Sequence, residues 1–126
     1  MALSSYRELQ VWQRGMDLAV ECYILTRDWP KQEMFGLTGQ VRRSACAISA
    51  NIAEGYGRGH RKEYVQFLRI AAGSLNELET HLILAARVGI VSEAAVAPCL
   101  AECREVGRML VRLIASLEKP KIPPAS

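Results

Sequence analysis

Aromatic residues are scarce in this chain, 6% of its 126 residues, while half of all positions are hydrophobic. The apolar content is therefore carried by alanine and the aliphatic side chains, as in helical bundles. Long hydrophobic runs are also missing: Arg or Glu interrupts each within a few residues, which excludes a membrane-spanning helix. Met1 to Trp12 holds no continuous apolar run of the kind an export signal needs, so a cytoplasmic location is expected. Charge of one sign is not in large excess. Sixteen Lys and Arg against 13 Asp and Glu give +3, too little by itself to argue for nucleic acid. Histidine occurs only as His60 and His81, and neither has an obvious nucleophile partner in the sequence. No acid–base pair can be assembled, so an enzyme is not expected. The four cysteines, Cys22, Cys46, Cys99 and Cys103, fall inside helical patterns and read as packed, reduced thiols. Cys99 and Cys103 sit one turn apart, but without a nearby histidine or a second cysteine pair they predict no metal site and no cofactor.

What the chain has in abundance is helical periodicity. In the first segment Leu9, Trp12, Met16, Ala19, Tyr23 and Thr26 recur at steps of three and four, with Ser5 and Glu8 spaced as a capping box ahead of them. The second carries Leu37, Val41, Ala45, Ile48 and Ile52 and stops in glycines 55, 57 and 59. The third carries Tyr64, Leu68, Ala71, Leu75, Leu78, Leu82 and Ala85 and stops at Gly89. The fourth runs from an expected Ser92 N-cap through Val96, Leu100, Cys103, Gly107, Leu110, Ile114 and Leu117 to Pro120. Pro98, early in that helix, predicts a distorted or late first turn. Helices are thus expected over about 7–28, 36–55, 60–89 and 93–119, with no strand.

Facing positions of a helical hairpin share a nearly constant sum of residue numbers. Ile52/Tyr64, Ile48/Leu68, Ala45/Ala71 and Val41/Leu75 satisfy this about a turn centred on Arg58. Trp12/Ile52, Met16/Ile48, Ala19/Ala45 and Tyr23/Val41 do so about Gln32, and Leu68/Ile114, Leu75/Gly107 and Leu78/Cys103 about Val91. All three centres fall in breaks of the pattern, so sequential helices pack as antiparallel neighbours. The expected fold is an all-α, antiparallel, up-down-up-down four-helix bundle, one domain over 1–120 followed by a disordered tail at 121–126. The same register places Arg43 opposite Gly73 to Glu77 and predicts an Arg43–Glu77 ion pair.

Two helices carry more apolar surface than one stripe about 100° wide requires. Val11, Gly15, Leu18, Cys22 and Leu25 form a second stripe on the first helix, and Cys99, Val106 and Leu113 another on the fourth. The surplus fits either a broad core face or a contact with another subunit. On the second reading Val11, Leu18, Leu25, Val106 and Leu113 are oligomer-interface candidates.

The glycine run 55–59 fails both phosphate-loop templates: a helix precedes it, His60 stands where a dinucleotide fingerprint needs glycine, and no Gly-Lys-Ser/Thr follows. Its basic neighbours are more informative. Arg58, Arg61 and Lys62 gather at the second turn, Arg42 adds to them, and Arg104, Arg108 and Arg112 recur at every fourth position of the last helix. These seven are the candidate nucleic-acid-binding residues; solvated charge faces are the alternative.

The segments Gly36-Leu37-Thr38-Gly39-Gln40-Val41-Arg42-Arg43-Ser44-Ala45 and Ser49-Ala50-Asn51-Ile52-Ala53-Glu54-Gly55-Tyr56-Gly57-Arg58 are specific, above all Asn-Ile-Ala-Glu-Gly at 51 to 55. With Phe67 to Glu79 and Leu9-Gln10-Val11-Trp12, they resemble the bacterial four helix bundle protein family, also known as 23S rRNA intervening sequence protein. Ala50 departs from the proline common in relatives, which implies a straighter second helix. The resemblance implies no enzymatic activity. Through the related accessory protein of diversity-generating retroelements it implies a homopentamer, with RNA or DNA and a reverse transcriptase or other protein as partners. It assigns no site residue; Gln40, Arg43, Asn51, Glu54, Ser74 and Glu77 read as packing and turn residues. The function expected is an oligomeric adaptor with basic rims, the alternative a structural homo-oligomer that binds only protein.

Overall fold

A computed structural model describes residues 4–119; the tail expected at 121–126 lies outside them. Four helices account for most of the chain: α1 (Gln10–Thr26), α2 (Leu37–Gly57), α3 (Arg61–Arg87) and α4 (Glu93–Glu118). Among the described residues there is no strand. Helix α1 packs on α2 and α4, and α3 packs on α2 and α4, while the backbones of diagonal pairs stay farther apart among the described residues.

Every packed pair is antiparallel. On α1 and α2, Trp12 meets Ser49 while Thr26 meets Arg42. On α1 and α4, Arg14 meets Glu102 and Glu21 meets Cys99. Gly55 lies on Tyr64 and Phe67 at one end of the α2–α3 pair, and Arg43 meets Glu77 toward the other. Arg69 meets Glu118, and Leu75 meets Gly107, between α3 and α4. The expected up-down-up-down order is what these contacts trace.

Local chemistry sets the helix ends. Ser5 and Glu8 do not cap α1. Ser5 Oγ accepts from the Arg7 amide at 3.1 Å and caps a short 3-10 turn over Tyr6–Glu8, after which extended Leu9 opens α1. Glu33 Oε1 accepts from the Leu37 amide at 3.1 Å and serves the start of α2. Helix α3 closes in a Schellman motif: Ile90 N–H donates to Ala85 O at 3.0 Å and Gly89 N–H to Ala86 O at 3.2 Å. Gly89 takes φ 83° there, a left-handed conformation that costs glycine little. Ser92 caps α4 as expected, its Oγ accepting from Ala95 N at 3.1 Å. The late or distorted first turn does not occur: α4 begins at Glu93 and runs through Pro98. Pro98 and Ala94, whose carbonyl loses its helical donor, are both exposed, so water can serve that carbonyl.

The core holds Val41, Ala45, Ile48 and Ile52 from α2 and Leu68, Ala71, Leu75, Leu78, Leu82 and Ala85 from α3, as the periodicity predicts. On α1 the structure corrects the expected seam. Val11, Gly15, Leu18, Cys22 and Thr26 point inward, whereas Met16 and Tyr23 are 42% and 44% exposed. The interface candidates therefore belong to this chain's own interior. Val11, Leu18 and Val106 are buried in its core, and Leu25 and Leu113 pack at the core margin.

The reason for the α1 phase is the approach of α2. A Cβ on Gly15 would collide with Ser49 Oγ, which donates to Trp12 O at 3.0 Å. A Cβ on Gly55 would stand 2.6 Å from Phe67 Cβ and 3.2 Å from Tyr64 O. By contrast, a Cβ on Gly73, exposed on α3, would meet nothing within 4 Å.

The same substitution should accordingly change sign with position. Gly55→Ala must push α2 from α3 and is expected to cost about 1–3 kcal/mol, the usual range for overpacking. Gly73→Ala should stabilise by about 0.5–1 kcal/mol through helix propensity alone. Urea melts of the two variants check this; equal effects would mean that α2 and α3 are not in close contact at Gly55.

Candidate functional site

The seven basic candidates separate by what holds them. Arg42 is half-buried: its Nε donates to Thr26 Oγ1 at 2.9 Å and its guanidinium lies 4.7 Å from the centre of the Tyr23 ring. Thr26 Oγ1 in turn donates to Cys22 O at 2.8 Å, so Arg42 fastens the end of α1 to α2. Arg58 pairs with Glu54 at 2.8 Å and covers the Phe67 ring. On α4, Arg108 and Arg112 both reach Glu105, at 2.6 and 3.7 Å. The hydrogen bond from Arg108, followed by the charges of both arginines, holds the Glu105 carboxyl below the usual carboxylate range. As pH falls through that lowered value, Glu105 is protonated and both arginines lose their partner.

Arg61, Lys62 and Arg104 are exposed and make no ion pair among the described residues. Arg61 and Lys62 stand in the first turn of α3, behind Gly59 at φ 78° and the N-cap His60. Together with Val65, Leu117 and Glu118 these three side chains line a depression of about 550 Å³. Glu118 does not neutralise it, because Arg69 holds that carboxylate at 2.7 Å. The result is an uncompensated basic rim where α2 passes to α3 beside the end of α4. Arg104 lies elsewhere, over the groove between α3 and α4.

The signature positions make structural contacts. Asn51 Nδ2 donates to Ala47 O at 2.8 Å, Gln40 Oε1 accepts from Arg43, and Arg43 reaches Glu77 at 3.6 Å. The last of these is the ion pair expected from the hairpin register.

Residues 7–112 match the description 23S rRNA-intervening sequence protein. The chain belongs to this family. A solved structure of similar fold is a protein of unknown function from the S23 ribosomal protein family of Bacteroides thetaiotaomicron. It is 25% identical, with a TM-score of 0.74, and the match covers 82% of this chain and 97% of that one. No curated protein matches. Neither description names an enzyme.

Sequence reasoning missed the outward face of α1. Met16, Val20, Tyr23 and Ile24 are 42–55% exposed and flank a groove of about 430 Å³ over Ala45, Cys46 and Ser49. The signal was available in Gly15: a mid-helix glycine is costly unless a neighbouring backbone approaches it closely. No helix among the described residues is long and apolar enough to cross a membrane.

The thiols divide in the same way. Cys22 and Cys99 are buried where α1 meets α4 and Cys103 is buried on the α3 side of α4, whereas Cys46 is exposed with its Sγ 3.8 Å from the Tyr23 hydroxyl. A hydrogen bond to Cys99, then burial, pushes Cys22 far up, and burial followed by the charge of Glu79 pushes Cys103 up to about 12. Alkylation of the folded protein at neutral pH should therefore modify Cys46, with Cys22 and Cys103 reacting only after denaturation. Peptide mass spectrometry reads this; rapid native labelling of Cys22 would contradict the inward face assigned to α1.

Proposed function

We propose that this family member is a non-enzymatic adaptor that assembles with copies of itself and contacts RNA or DNA through the basic end of its bundle. The observation that carries the reading is the rim of His60, Arg61 and Lys62, with no ion pair to Arg61 or Lys62 and with Glu118 held by Arg69. The helix start adds unfilled backbone N–H donors of the sign a phosphate prefers. Assembly into a pentamer, the state implied by the resemblance to the retroelement accessory protein, repeats this rim and the net charge of +3 five times. The surface available for assembly is the outward apolar face of α1, Met16, Val20, Tyr23 and Ile24, rather than the residues suggested by periodicity. A cytoplasmic location is part of the same reading. The alternative, a structural oligomer with protein partners alone, is favoured by the pairing of Arg58, Arg108 and Arg112 with this chain's own carboxylates.

Titration of RNA and of DNA at two salt concentrations tests the proposal. Binding should weaken steeply as salt rises, because each phosphate contacted releases counterion. Arg61→Glu combined with Lys62→Glu should weaken it by about tenfold or more at low salt. Light scattering should give a mass well above the 14.0 kDa of one chain. Absence of binding at low salt leaves the protein-only alternative, and a monomer at micromolar concentration removes the assembly.

A further inference from the structure

Helices α3 and α4 approach each other closely at Gly107. Leu75 packs over the bare backbone of Gly107, its Cδ2 only 3.3 Å from where a Cβ would stand. Above that contact a groove of about 610 Å³ runs along the two helices. Its floor is apolar, formed by Ala72, Leu75, Cys103 and Gly107, and Val111 on its edge is 68% exposed. Arg104, Arg108 and Arg112 line the α4 wall. Their spacing of four residues sets them along about 12 Å of one helix face. Glu105 alone balances two of them, and Arg104 has no ion pair among the described residues.

We infer that this groove docks an acidic amphipathic helix of another protein. A helix laid between two antiparallel helices puts an apolar stripe into the groove and repeats side chains at i and i+4 along one side. Carboxylates at that spacing meet the three arginines, and the bidentate fork of Arg suits them. Single-stranded nucleic acid fits less well. No aromatic side chain lines the groove for a base to stack on, and its floor is apolar. A second copy of this chain is the poorer match in charge. Its outward apolar helix face, from Met16 to Arg27, offers exposed Asp17 and half-buried Glu21 as its carboxylates and ends in a cation. The inference rests on the adaptor reading only for the existence of a protein partner, and not on nucleic-acid binding.

Fluorescence anisotropy with three labelled synthetic peptides of about 20 residues decides the matter. One is a Leu/Glu helix with a single apolar stripe, the second has the same composition scrambled to remove the stripe, and the third has Lys in place of Glu. The first should bind saturably, and the other two about tenfold more weakly or less. Val111→Glu and Arg104→Glu, both at exposed positions, should each weaken it by about tenfold, whereas Arg61→Glu should leave it unchanged. Thermal melts confirm that the variants fold. Equal binding of the scrambled peptide, or an equal loss in Arg61→Glu, overturns the inference in favour of diffuse charge attraction. Displacement of the peptide by RNA, together with loss of RNA binding in Arg104→Glu, gives the groove to nucleic acid instead. An oligomer that Val111→Glu converts to monomer gives it to a second copy. Failure of RNA binding with peptide binding intact counts against the basic end alone.

Discussion

Helix α2 can lie between α1 and α3 only because a small residue sits at each contact, Gly15 on α1 and Gly55 on α2 itself. Gly15 makes room for Ser49 on one flank, and Gly55 lets the chain pass within van der Waals contact of Phe67 and Tyr64 on the other. Ala45 and Ala71 hold the middle of the core with little bulk. Polar groups can be buried at such short range because their hydrogen bonds close locally. Ser49 reaches the Trp12 carbonyl, and Ser44 returns to the Gln40 carbonyl at 2.8 Å. The phase of α1, the position of its outward apolar face, and the place where Arg42 fastens the two helices all follow from that approach.

The α2–α3 pair was legible in the sequence because each of those helices has a single dominant apolar stripe, and on α4 both stripes turn into the core, Cys103 and Leu110 from one and Cys99 and Val106 from the other. Leu75 faces Gly107 and Arg43 reaches Glu77, as the hairpin registers require. Helix α1 was ambiguous because two stripes both satisfy the heptad, and spacing alone supports a seam through Trp12, Met16 and Tyr23 as well as the true one. Steric room decided between them: glycine contributes nothing to hydrophobic periodicity, yet Gly15 fixes which side faces α2. Pro98 misled for a related reason. Its cost depends on whether the carbonyl it deprives is wet, which residue type alone does not reveal.

The charged residues were legible as positions but not as partners. The spacing of Arg104, Arg108 and Arg112 correctly predicts one helix face. That Glu105 serves two of them, while Arg104 is left over, depends on rotamers. Likewise Arg42 reads as a surface cation until Tyr23 turns outward and Thr26 inward, which supplies both a ring and a hydroxyl at its side. Arg61 and Lys62 make no ion pair among the described residues, and Glu118 across the depression belongs to Arg69 on a different part of α3.

An even number of antiparallel helices returns the backbone to the end from which it set out. The start of α1 lies against Met109 and Leu113 near the close of α4, and Leu117 borders His60 and Arg61. The described chain thus enters and leaves beside the α2–α3 turn, while the other two connections lie at the far end. Anything fused to either terminus, a purification tag included, is tethered next to Arg61 and Lys62 and adds its own charge to theirs. A fusion inserted at the Gly89 turn would keep that basic end clear.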